Sequence, residues 1–151
     1  MKSKQVYEDN VLRTFVLILD KGDEAFEQIP RFAKDHDITG ASLTAVGACR
    51  SATLGYFDSE ISKYRSTSFD EQVEILSLLG DIATKDDQPT LHAHLVLGRK
   101  DSSAVGGHLQ SVTVFPTMEV VLTETPAHLC KRVDPETGLA LVAIDESSGP
   151  E

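Results

Sequence analysis

Between residues 40 and 123 the chain is a succession of β-rich runs joined by connections of hairpin length, and this limits the fold more than any other feature. The runs are ASLTAVGA, ending at Ala48, SATLGYFD (51–58), ISKYRSTSF (61–69), VEILSLLGDIA (73–83), LHAHLVLG (91–98), AVGGHLQSVTVF (104–115) and MEVVL (118–122). Turn clusters separate them: Cys49-Arg50, Ser59-Glu60, Asp86-Asp87-Gln88-Pro89 and Arg99–Ser103. Connections this short cannot carry the crossover that parallel neighbours need, so most neighbouring strands are expected to be antiparallel. LCKRVDPETGLALVAI (129–144) predicts a further hairpin, turning at Asp134–Gly138.

Before residue 40 the pattern differs. Val11–Asp20 contains five consecutive apolar residues, Phe15 to Leu19, as in a strand covered on both faces. Lys21-Gly22-Asp23 then turns into a helix over Asp23–Asp35, with Asp23 as N-cap. Ala25, Phe26, Ile29, Phe32 and Ala33 fall on one stripe of that helix, and Pro30 interrupts it as a potential kink. The expected class is therefore α/β: a mainly antiparallel twisted sheet of six to eight strands with flanking helices. A chain of 151 residues without repeat or linker makes one domain, placed at 11–144, with 1–10 and 145–151 as flexible termini. Val11–Leu19, Val73–Leu79, Met118–Leu122 and Leu139–Ile144 are apolar on both faces, yet one amphipathic helix cannot cover them all. The surplus surface predicts a second subunit as cover.

Three of the five histidines, His92 and His94 in LHAHL and His108 in GGHL, carry the chemistry. Residues two apart on a strand share a face, with Cβ atoms about 6.5–7 Å apart, a span two imidazoles can close around one ion. With Arg99–Ser103 as the loop, residue 98 faces 104 and His94 faces His108, with His92 diagonal to it. A slip of one residue would send His108 to the other face. Gly106-Gly107 just before it marks a bend or a close approach of backbone. A lone strand histidine is most often a hydrogen-bonded core residue, but three that share a face form a ligand set for a divalent metal. Neutral imidazoles suit zinc best among such ions, and three protein ligands leave a fourth position open, as in catalytic zinc sites. Glu119, Asp58 and Glu74 are the carboxylates that would close it. His36 and His128 lack partners at useful spacing and read as surface residues, Cys49 and Cys130 as unpaired core or near-surface thiols, and Tyr56 and Tyr64 as strand aromatics able to line a pocket.

Several classes are excluded or disfavoured. There is no phosphate-binding glycine loop with its lysine and no Gly-x-Ser-x-Gly elbow. No apolar run approaches the ~20 residues of a membrane span, and two cysteines make no disulfide framework, so the cytoplasm is the expected compartment. A net charge of −10 disfavours direct binding to a phosphate backbone.

The order of ASLTAVGACRSATLGYFD, EILSLLGDI, the Pro-x-x-His-x-His of PTLHAH, VGGHL and TMEVVL resembles the PPC domain, the family conserved in plants and prokaryotes, in its stand-alone prokaryotic form, over roughly residues 11–144. The resemblance implies a homotrimer and metal ligation by His92, His94 and His108, and brings no catalytic residues with it. In plant proteins the domain follows AT-hook peptides that bind the DNA minor groove. No such peptide occurs here: Arg13, Arg31, Arg50, Arg65, Arg99 and Arg132 are scattered. The functional expectation is thus a trimeric metal-site protein, an enzyme or sensor for a small molecule, with a DNA-binding or protein-interaction module as the alternative.

Overall fold

A computed structural model describes residues 1–9 and 12–148. Val11, where the first strand was expected to begin, and residues 149–151 of the expected tail lie outside the described residues. In chain order the elements are β1 (Lys2–Glu8), β2 (Arg13–Asp20), α1 (Ala25–Asp35), β3 (Gly40–Asp58), β4 (Lys63–Phe69), β5 (Val73–Lys85), β6 (Gln88–Gly98), β7 (Ala104–Glu124), β8 (Lys131–Val133) and β9 (Ala140–Val142). The expected antiparallel sheet is present, but the α/β class with flanking helices is corrected: α1 is the one α-helix among the described residues, and the domain is mainly β. Residues 2–8, read from sequence as part of a flexible terminus, pair with β2 as an edge strand.

The seven-stranded sheet runs β1-β2-β7-β6-β5-β3-β4, and an additional β7–β3 pairing closes β7, β6, β5 and β3 into a ring. This closure depends on two long strands where the sequence predicts four short ones. β3 continues through Cys49-Arg50, and β7 continues from 104 to 124; bulges near Cys49 take the place of the expected turn. Each long strand uses one edge for the other and divides its second edge. β3 gives that edge to β5 and then β4, and β7 gives it to β6 and then β2.

Alternation then separates two faces of the sheet. Leu17, Leu78, Leu95, Leu97, Leu109, Val112, Met118 and Leu122 point inward and are fully buried. Helix α1 lays Ala25, Ile29, Phe32 and Ala33 on that inner face, where each large apolar side chain contributes roughly 1.5–3 kcal/mol. Glu24, rather than Asp23, caps the helix: its Oε2 accepts from Glu27 N at 3.1 Å and its Oε1 from Val112 N at 2.5 Å. The helix runs through Pro30 to Asp35. The outer face leaves Leu79, Val46 and Val121 at 60%, 54% and 45% exposure. Thr44 faces both Val121 and Leu79, and Leu79 faces His94, so these residues form one row that ends at the histidines. No helix among the described residues is long and apolar enough to cross a membrane.

Candidate metal centre

The β6–β7 hairpin has the register its loop predicts: Gly98 faces Ala104, and His94 faces His108. His92 and His94 share the outer face of β6 while Leu91, Ala93, Leu95 and Leu97 fill the inner one. The three rings converge, with centroids 5.3 Å apart for His92–His94, 5.3 Å for His92–His108 and 5.6 Å for His94–His108. One ring nitrogen of each lies within 4.8 Å of the other two, a spacing that can hold one ion.

Backbone close to the site is held by glycines at two points of contact. A Cβ on Gly107 would meet the carbonyl oxygen of Gly55 at 2.9 Å, so the close approach expected at Gly106-Gly107 is real. A Cβ on Gly55 would meet Tyr64 Cδ1 at 2.7 Å. Glycine there lets the Tyr64 ring lie on His108, with centroids 4.7 Å apart and planes 22° from parallel. Tyr64 thus lines the centre, whereas Tyr56 stands 72% exposed.

Burial favours the form a metal needs in two of the rings, His94 and His108. Burial pushes the His108 imidazole down to about 4, with His92, His94 and Lys131 adding repulsion. Burial also holds His94 below its ordinary range, with His92 as the second cause. Neutral imidazole is the ligating form. His108 Nδ1 is buried without a hydrogen-bond partner among the described residues, an orphaned donor-acceptor site beside two further ring nitrogens. Residues and donor chemistry therefore fit a divalent ion.

Neither Glu119, Asp58 nor Glu74 joins the group of ligand atoms among the described residues. Asp58 instead pairs with Arg65 at 2.5 Å, and Glu119 lies across from Ile18 and Val46. His36, expected at the surface, is half-buried against Phe32, and His128 lines a separate cleft of about 430 Å³ with Lys34, Asp37 and Asp87. Cys49 is buried and Cys130 half-buried, both unpaired. Sequence reasoning missed two residues of the centre. Asp81 on β5 faces His92 and its Oδ2 lies 3.1 Å from His92 Nδ1, while Lys131 on β8 places Nζ 2.7 Å from Asp81 Oδ1. Asp81 carried a signal, as one of two acids, with Glu74, in an otherwise mostly apolar strand; Lys131 carried none.

Three solved structures similar to this chain cover more than nine-tenths of it. A metal-containing protein from Archaeoglobus fulgidus is 37% identical, with a TM-score of 0.82, covering 93% of this chain and 99% of that one. A plant- and prokaryote-conserved (PPC) protein from Pyrococcus horikoshii is 28% identical, with a TM-score of 0.83 and coverage of 91% and 97%. A candidate DNA-binding protein from Bacteroides thetaiotaomicron is 26% identical, with a TM-score of 0.86 and coverage of 93% and 96%. No functionally curated protein matches the chain in sequence. The model of the Plants and Prokaryotes Conserved (PCC) domain matches residues 6–126, from within β1 to just past the end of β7, and the chain belongs to that family.

Proposed function

We propose that this PCC-domain protein is a cytoplasmic homotrimer whose three-histidine centre holds one divalent ion, zinc by its donor set, and acts on or senses a small molecule. The observation that carries the reading is the convergence of three ring nitrogens within 4.8 Å on one sheet face. His92, His94 and His108 would hold the ion, and the name of the similar Archaeoglobus fulgidus protein supports metal binding in this fold. When bound, such an ion supplies a Lewis acid with an open coordination position. The chain's own residues orient the ligands: Tyr64 fixes one face of His108, and the β6–β7 register fixes His94 against it. The exposed row of Leu79, Val46 and Val121 supports assembly, since copies of the chain would cover it.

The test is elemental analysis of protein purified without a metal-binding tag. One ion per chain is expected in wild type, and most of it is lost in His92→Ala, His94→Ala and His108→Ala alike, because two imidazoles bind far more weakly than three. Substoichiometric metal in wild type, or retention in all three variants, would overturn the reading. A DNA-binding role is the second reading, favoured by the name of the Bacteroides thetaiotaomicron neighbour. The net charge of −10 opposes it, and duplex titrations at low salt are expected to show nothing tighter than the non-specific range of about 10⁻⁴–10⁻⁶ M.

A further inference from the structure

Lys131 is the one buried charged residue among the described residues, its side chain 2% exposed. It lies beyond the 6–126 span of the family match, on the small β8–β9 hairpin. That hairpin is docked onto the end of β5: Thr84 N donates to Leu129 O at 2.7 Å, and Thr84 bridges Cys130 in parallel. The docking carries Lys131 Nζ to Asp81 Oδ1 at 2.7 Å. The other carboxylate oxygen, Asp81 Oδ2, meets His92 Nδ1 at 3.1 Å.

A carboxylate only accepts hydrogen bonds, so the proton in this contact belongs to His92 Nδ1. In the neutral ring Nε2 of His92 is then bare. In metal sites a carboxylate on the far nitrogen of a histidine ligand fixes its tautomer and ring orientation and raises its basicity. Lys131 Nζ and Asp81 Oδ1 are buried with no hydrogen-bond partner among the described residues and meet as an ion pair at 2.7 Å. A buried ammonium needs such a counter-charge, and their attraction holds the Asp81 carboxylate in place. We propose that Asp81 and Lys131 are positioning residues of the centre: Asp81 selects the Nδ1–H tautomer of His92, leaving Nε2 for a divalent ion, and the C-terminal hairpin locks Asp81 through Lys131. The proposal deepens the metal-site reading, and Lys131 makes the β8–β9 hairpin part of the site.

The test has two readouts. Long-range 15N–1H correlation spectra of metal-free protein near pH 8 report which nitrogen of His92 carries the proton. Wild type shows Nδ1–H, and Asp81→Ala shifts His92 towards Nε2–H. Zinc affinity is then measured by competition with a chromophoric chelator. Asp81→Ala loses about 10–100-fold, and Lys131→Met, close in length to lysine, loses less, with His92 left in a mixture of tautomers. Should Asp81→Ala not fold, Asp81→Asn keeps the shape and is expected to lose affinity in the same direction. Nε2–H on His92 in wild type, or affinity within twofold of wild type in both folded Asp81 variants, overturns the proposal. Wild type that takes up no zinc yet holds His92 as Nδ1–H defeats the metal reading and leaves the positioning role standing.

Discussion

His36 and His108 are both half-buried histidines stacked on an aromatic ring, and they differ in what surrounds the ring nitrogens. His36 lies 4.0 Å from the Phe32 ring centroid and edge-on to Phe15, with Nδ1 2.9 Å from Phe32 O. Its backbone carbonyl accepts from Arg13 Nη2 at 3.1 Å, and Arg13 also forks onto Glu124 at 2.6 and 2.8 Å. The Nδ1 of the His36 ring is satisfied by the carbonyl of Phe32, one turn earlier, and the ring packs on Phe32 and Phe15. His108 stacks on Tyr64 equally well, but its buried Nδ1 has no hydrogen-bond partner among the described residues, and two more imidazoles share its face. Burial and stacking therefore do not set His108 apart from His36. The buried nitrogen without a partner and the two neighbouring imidazoles do, and the proposed ligand role rests on them.

The contrast predicts opposite phenotypes, and this is the largest effect expected. His108→Ala is expected to remove nearly all bound metal, while His36→Ala keeps full stoichiometry. The order of stability reverses in metal-free protein. His36→Ala opens space against Phe15 and Phe32, an aromatic cluster continuous with the core, and is expected to cost about 1–3 kcal/mol in denaturant unfolding. Equal metal loss in both variants would erase the distinction between the two rings.

The next effect separates the two faces on which these histidines sit. His36 belongs to the inner, helix-covered side, and His94 and His108 to the outer side beside the exposed row of Leu79 and Val121. Leu95, between His92, His94 and Val96 in sequence but inward-facing and fully buried, is expected to cost about 2–5 kcal/mol on truncation to Ala. Leu79 is 60% exposed on the single chain, so Leu79→Asp leaves the folding of one chain nearly unchanged. Its expected effect is dissociation to species of 16.4 kDa in light scattering, because an acidic side chain cannot be buried between copies without a partner. A wild type already at that mass would show that nothing covers the outer face.

The same contrast shows which parts of the molecule are legible in the sequence. His94 facing His108 is legible because a single loop, Arg99–Ser103, fixes the register and the side-chain period of two does the rest. Asp81 facing His92 is not, because that register depends on the Asp86-Asp87 turn. Both residues have positive φ, at 50° and 58°, which gives a two-residue connection normally announced by Asn-Gly. Counting Asp86–Pro89 as the loop moves every pair on β5 and β6 by two positions and separates Asp81 from His92. The ring closure was illegible for a related reason. β3 and β7 are each interrupted in sequence by turn-like residues that the folded strands absorb as bulges, which only long-range pairing stabilises. Lys131 is set by tertiary docking of a short hairpin, and no local pattern encodes that.

The smallest effect is a pH dependence led by His108, with His94, also lowered by burial and by His92, acting in the same sense. Burial lowers the folded-state value of His108 to about 4 from an ordinary 6.5. Between those values the unfolded chain binds a proton at this ring that the folded chain does not, so the ring's contribution to stability rises with pH across that window. Glu24, raised by burial, acts in the opposite sense. The contribution is complete above about pH 6.5 and is lost as the pH falls towards 4. Other groups add slopes of their own; Asp23, held low by its hydrogen bond to the N-terminal ammonium, is one that acts in the same sense at more acidic pH. The difference between two chains isolates the histidine. In metal-free protein with chelator present, the midpoint of thermal unfolding should fall more steeply from pH 7 to pH 4 in wild type than in His108→Gln, which has nothing to protonate. Both chains keep Asp23, so its slope cancels. Parallel curves would mean that the ring is hydrated or already partnered in solution, and the distinction from His36 would then rest on the metal alone.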